Sequence, residues 1–181
     1  MNAPRRRGFL AGALGLALTA CVALMPAQSP EGVVRTNPSP RFAAFVGPKT
    51  QHAAPFLGVP DTNFFCLRSL VDRDTGATTH QLYVSESYSG AERGWDAARG
   101  GNGGRLRFIA ISRDDIPCPE GACFVEEFAA DLPETALRGN LAGFVVNFSA
   151  KSGAVKTIAV SADRIAAQLA AIEAWRQTAQ Q

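Results

Sequence analysis

The residues able to do chemistry gather in one stretch, from Arg105 to Ala130. Cys118 and Cys123 stand either side of a four-residue Pro-Glu-Gly-Ala segment, and Glu126 and Glu127 follow closely. A cysteine pair can be a redox couple, part of a metal site or a structural bridge, and a glutamate among phenylalanines can have a raised pKa and act as an acid or base. A thioredoxin-like centre has two residues between its cysteines at a helix start, whereas four intervene here in a loop. A zinc site drawn from Cys66, His80, Cys118 and Cys123 fits no standard ligand spacing. The expectation is a Cys118–Cys123 disulfide pinning the loop, no metal and no cofactor. Cys66, between Phe65 and Leu67, is expected as a buried free thiol.

Strand alternation places Phe124, Glu126 and Phe128 on one face and Cys123, Val125, Glu127 and Ala129 on the other, so one glutamate must point inward. Two outcomes follow. In the first, the inward carboxylate pairs with Arg105 or Arg107, and His80 is exposed. In the second, Glu126 or Glu127 works with His80 as a proton shuttle beneath the glycine-rich stretch 89–104, forming a small hydrolase. Nothing marks a nucleophile: there is no Gly-x-Ser-x-Gly and no His-Glu-x-x-His. The glycines from 100 to 104 also lack the following Lys-Ser or Lys-Thr of a phosphate loop. The first outcome is therefore preferred, with no catalytic residue assigned.

Several elements must position these groups. Arg105–Ser112 and Ala122–Ala129 read as two strands around a proline-containing loop, with Asp114 and Asp115 as turn chemistry. Asn63–Val71 and Thr79–Ser87 form a second strand pair, in which His80, Leu82, Val84 and Glu86 share a face. Gly143–Ser149 and Ala154–Val160 form a third, turning at Lys151–Gly153. Arg41–Pro60 reads as irregular edge structure, Tyr88–Gly104 as a long loop with one helical turn around Trp95, and Asp131–Leu137 as a short helix or turn. Ser161 caps a final helix whose Ile165, Leu169 and Ile172 form one apolar stripe. Local strand pairs followed by one helix predict an α+β domain, an antiparallel β-meander sheet packed by a C-terminal α-helix, with a small barrel or sandwich as the alternative.

The N-terminus carries an address. Arg5-Arg6-Arg7 precedes an apolar run from Phe9 to Ala20, too short to span a membrane and suited to a signal-peptide core. Leu18-Thr19-Ala20-Cys21 resembles the bacterial lipobox, which implies cleavage before Cys21 and its lipidation. A cut after Ala23 instead leaves no lipid. Arg6-Arg7-Gly8-Phe9-Leu10 resembles the twin-arginine export motif, so that route and the Sec route both stay open. By the lipoprotein sorting rule, Val22 in place of aspartate implies the outer membrane where the host has one.

The expected organisation is a signal peptide over 1–20, a proline-rich flexible tether over 21–40 and one globular domain over 41–181. Removing the leader discards three of the 18 Lys and Arg and none of the 16 Asp and Glu, leaving a nearly neutral chain. Such a balance disfavours nucleic acid as a partner. The mature domain resembles small uncharacterised proteobacterial envelope proteins in Gly94-Trp95, Cys118, Cys123 and Glu126, a resemblance that carries no activity. The expected function is a lipid-anchored protein on the periplasmic side of the envelope, with a domain that binds or scaffolds an envelope partner.

Overall fold

A computed structural model describes residues 32–119 and 121–179. The expected signal peptide over 1–20 and the expected lipidation site Cys21 lie outside the described residues. In chain order the elements are β1 (Val34–Thr36), β2 (Phe42–Val46), β3 (Thr50–Gln51), a 3₁₀ turn (Phe56–Gly58), β4 (Phe64–Asp72), β5 (Thr78–Ser89), β6 (Trp95–Gly100), β7 (Arg105–Leu106), β8 (Phe108–Ile116), β9 (Cys123–Leu132), α1 (Glu134–Gly139), β10 (Gly143–Ala150), β11 (Val155–Ser161) and α2 (Ala162–Ala179).

The chain adopts the α+β class, with antiparallel sheets and a C-terminal helix packed on them. The strands form two sheets, a seven-stranded one in the order β1-β2-β4-β5-β9-β8, with β3 also on β4, and a four-stranded one in the order β11-β10-β6-β7. Their facing sides make the main core. Phe65, Leu67, Leu82, Val84, Phe128 and Ala130 come from the larger sheet, and Trp95, Val146, Phe148, Ile158 and Val160 from the smaller. Helix α2 covers the rest of the same face, setting Ala167, Ala171 and Ile172 against Val33, Phe45 and Val71. Trp175, at the margin of that stripe, meets the Phe45 ring edge-on at 5.9 Å.

The second sheet exists because Trp95–Gly100 is a strand and not the loop its glycines suggest. It pairs with β10 from Trp95↔Ala150 to Gly100↔Val146, and burying Trp95 and Ala98 against the aromatic core outweighs the weak strand preference of glycine. Of the expected loop, 90–94 and 101–104 remain turns, the second closed by Gly103 N–H to the Gly100 carbonyl at 2.8 Å. The expected strand 105–112 is divided at Arg107: Arg105–Leu106 joins the smaller sheet, and β8 joins the larger one. β8 also runs through Asp114 and Asp115, where a turn was expected, because pairing with Cys123–Val125 continues the ladder. The folded domain begins before Arg41, since β1 pairs with β2 and Val33 is buried under α2.

Cys118 and Cys123 are joined across the β8–β9 loop, with Cα atoms 5.7 Å apart, and Cys66 is a buried free cysteine. Burial pushes the Cys66 thiol up to about 11, which keeps it unreactive. Closing so short a loop is expected to stabilise the fold by roughly 2 kcal/mol on the chain-entropy model. Replacing both loop cysteines with serine should therefore lower the unfolding free energy by that amount, read as a lower urea midpoint. Peptide mapping without reduction should find the linked Cys118–Cys123 fragment, and a fragment linking Cys66 to either cysteine would contradict the assignment.

Candidate functional site

The structure separates the residues that the hydrolase reading needed. Glu126 points into the core and Glu127 to the opposite face, as alternation requires. His80 also faces inward, but it stands opposite Leu132, six positions along β9 from Glu126, roughly 20 Å away at about 3.4 Å per residue. His80 is not exposed as expected: it is 2% exposed beneath α2. Its Nδ1 lies 2.8 Å from Ser69 Oγ, which accepts from Gln168 Nε2 at 2.8 Å, and the same amide donates to the Phe45 carbonyl at 3.0 Å. A serine–histidine pair at that distance has the chemistry of an activated nucleophile. With Ser69 3% exposed and α2 above it, no substrate reaches the hydroxyl, and the trio fastens the helix to the sheet.

Glu126 does not pair with Arg105 or Arg107. It is 6% exposed and accepts from Tyr88 Oη and from the backbone N–H of Gly94 at 3.2 Å and Trp95 at 3.3 Å. Gly94 sits at φ +65°, a left-handed conformation that glycine adopts without strain and that lets the β5–β6 turn aim its amides at the carboxylate. Burial, and then the hydrogen bond to Glu126, push the Tyr88 phenol up to about 12. Arg107 instead pairs with Asp131 on the outer face.

Directly opposite Glu126 in the register is Glu86, and around it the fold assembles groups that sequence reading did not connect. Arg93 Nη1 lies 2.5 Å from Glu86 Oε1, and Lys156 Nζ lies 2.6 Å from Oε2. His52 Nε2 is 3.5 Å from the same Oε2 and hydrogen-bonds the Ser85 carbonyl at 3.0 Å. Lys156 Nζ is also 3.1 Å from His52 Nδ1. An ammonium only donates, so Nδ1 accepts and the proton sits on Nε2: this is a neutral imidazole. His52 is placed there by β3 and by Asn63, whose carbonyl accepts from His52 N–H at 2.9 Å and whose side chain donates to the Ala54 carbonyl at 2.9 Å. A signal for this cluster was present. Glu86 and Lys156 each lie on the apolar face of an alternating strand, and a charge there needs a partner.

The cluster contains acids, bases and cations, but each is occupied by another. Glu86, 4% exposed, is neutralised by two cations, and Glu126 is held by three donors. The arrangement ties the larger sheet to β11, to the β5–β6 turn and to the 52–63 loop. Metal binding gains no support: among the described residues no three His, Cys, Asp or Glu form a group that could hold an ion. Cys66 and His80, partners in the zinc alternative, point to opposite faces of the larger sheet.

Both histidines are held below their ordinary value of 6.5, in each case chiefly by burial, with Lys156 the next cause for His52. Below about pH 6.5 the unfolded chain takes up protons that the folded chain refuses, so stability rises with pH through that window and is lost on acidification. Each histidine contributes a slope of up to about 1.4 kcal/mol per pH unit. Urea midpoints should rise between pH 5 and pH 7, and His80→Gln should flatten the curve; a fall over that range would contradict the burial of both rings.

The concave surface nearest Glu126 is a cleft of ≈ 300 Å³ between β8 and β6. Trp95, Phe108 and Phe128 line it, along with Glu126, Glu127 and an ion pair between Arg113 and Glu92 at 3.0 Å. The Trp95 indole N–H is buried and has no acceptor among the described residues. Glu127 is engaged by the Tyr83 hydroxyl, whose pKa is raised by burial first and by that bond second. Compared with protein-family models, curated proteins and solved structures, the chain matches none.

Proposed function

We propose that the protein is an exported, lipid-anchored envelope protein whose domain binds or scaffolds another envelope component without catalysis. The observation that carries this reading is the state of the inward carboxylates. Glu86 and Glu126 are both engaged within the fold, and the cleft that Glu126 borders offers aromatic rings and an ion-paired rim, surfaces suited to contact more than to proton transfer. The disulfide is in keeping with an oxidising compartment. Anchoring rests on Leu18-Thr19-Ala20-Cys21 behind the arginine-led apolar run, and Val22 directs the anchor to the outer membrane where the host has one. The hydrolase alternative, with His80 acting on Glu126 or Glu127, needs groups that the β5–β9 register sets five or six positions apart.

Metabolic labelling with a palmitate analogue tests the anchor. The wild type should be labelled and sediment with membranes, and Cys21→Ala should lose both properties. An unlabelled wild type rules the anchor out.

A further inference from the structure

An apolar recess lies at the other end of the core, where the 101–104 turn meets α1. It is a cavity of ≈ 380 Å³, within the range of about 300–1,000 Å³ typical of small-molecule sites. Leu106, Leu132, Ala136, Leu137, Phe144 and Val146 line it, and Gly100, Gly101 and Gly104 offer only backbone at its margin. No acidic side chain is among the lining residues, and the one charged residue there is Arg105.

Arg105 stands directly opposite Arg99 across the β6–β7 ribbon. Ala98 and Leu106, the neighbouring pair, face the core, so the two arginines share the outer side of the sheet edge at which the cavity lies. Like charges directly opposite on a sheet repel. Among the described residues the Arg105 side chain has no hydrogen bond or ion pair, and the Arg99 side chain reaches only the Gly103 carbonyl, at 3.3 Å. Elsewhere in the fold, Arg41, Arg93, Arg107, Arg113 and Arg138 each have a carboxylate. An apolar recess whose one charged lining residue is an arginine without an acid, with a second arginine opposite it across the ribbon, is complementary to a ligand with an apolar body and one negative end.

We propose that this cavity binds a single-chain amphiphile with an anionic end, in the manner of a fatty acid. The alkyl chain lies among Leu132, Leu137 and Phe144, and the carboxylate is received by Arg105 and Arg99, whose guanidinium forks match its geometry. The site is independent of the lipid on Cys21, and the palmitate-labelling result does not bear on it.

Isothermal titration of the full-length chain with decanoate, decanol and decyltrimethylammonium tests the proposal. Decanoate should saturate one site at least tenfold more tightly than decanol, with the cation weakest. Arg105→Glu, at an exposed position, should weaken decanoate tenfold or more and strengthen the cation. Ala136→Trp, which fills the recess, should abolish saturable binding of all three, with circular dichroism showing that the variant is folded. If it does not fold, the charge reversal still decides the matter. Equal affinities for decanoate and decanol, no response to Arg105→Glu, or full binding by a folded Ala136→Trp variant would each overturn the assignment. Displacement of decanoate by decyl phosphate supports a site that also takes phosphate ends, and no displacement supports one restricted to carboxylates.

Discussion

Phe128→Ala is expected to lower the unfolding free energy by about 3–5 kcal/mol, a large share of the 5–15 kcal/mol typical of a domain. Phe128 is 1% exposed near the middle of β9, opposite Val84, and its ring lies 5.2 Å from Trp95, 5.8 Å from Phe108 and 5.0 Å from Phe148. Two of those rings belong to the smaller sheet, so the truncation removes apolar contact within one sheet and across the interface between the two. The surrounding residues sit on paired strands and cannot collapse into the space, which adds a cavity cost to the lost transfer energy. Urea denaturation should show a lower midpoint with little change of slope. Val155→Ala is the control: at 67% exposure it should stay within about 0.5 kcal/mol of wild type. A loss at Phe128 below about 1.5 kcal/mol, well under the usual cost of such a truncation, would mean that the sheets do not pack face to face as described.

Glu86→Ala should cost about 3 kcal/mol, at the lower end of the 3–5 kcal/mol seen when one partner of a buried ion pair is removed. The discount has a structural reason. The Arg93 and Lys156 side chains keep 31% and 16% of their exposure, so each recovers some hydration once its carboxylate is gone. What they cannot recover is the opposite charge between them. A double-mutant cycle separates these effects: combining Glu86→Ala with Lys156→Met should cost clearly less than the two single changes added together, because the second change removes the ammonium that the first left unpaired. Simple additivity, or a loss below about 1 kcal/mol for Glu86→Ala, would show that the cluster does not clamp the sheets.

The alternation of β4, β5, β9, β10 and β11 was legible in the sequence, because a strand with one buried face must repeat every second residue. That one of Glu126 and Glu127 points inward followed from that period; which of the two does so was decided by the sheet's packing. The helix after Ser161 was equally plain from its apolar stripe. The β6 strand was not, since four of the glycines that mark a loop lie at or beside a true turn, and strand pairing outside the local window decides which of them extend. The continuation of β8 through two aspartates failed for the same reason: turn residues are overruled when a neighbouring strand offers a ladder.

The candidate site divides along the same line. Composition and spacing were enough to show that Cys118 and Cys123 flank one loop, that Cys66 stands apart, that Glu86, Glu126 and Lys156 alternate with apolar residues, and that the N-terminal apolar run is followed by Cys21, for each is a property of local order along the chain. Only the tertiary structure decided which charges meet. Residues 52, 86, 93 and 156 come from a loop, a central strand, a turn and an edge strand, and no local period relates them. Their meeting depends on the second sheet closing over the first, whereas the separation of His80 and Glu126, which share one apolar face, is set by the β5–β9 register within the larger sheet.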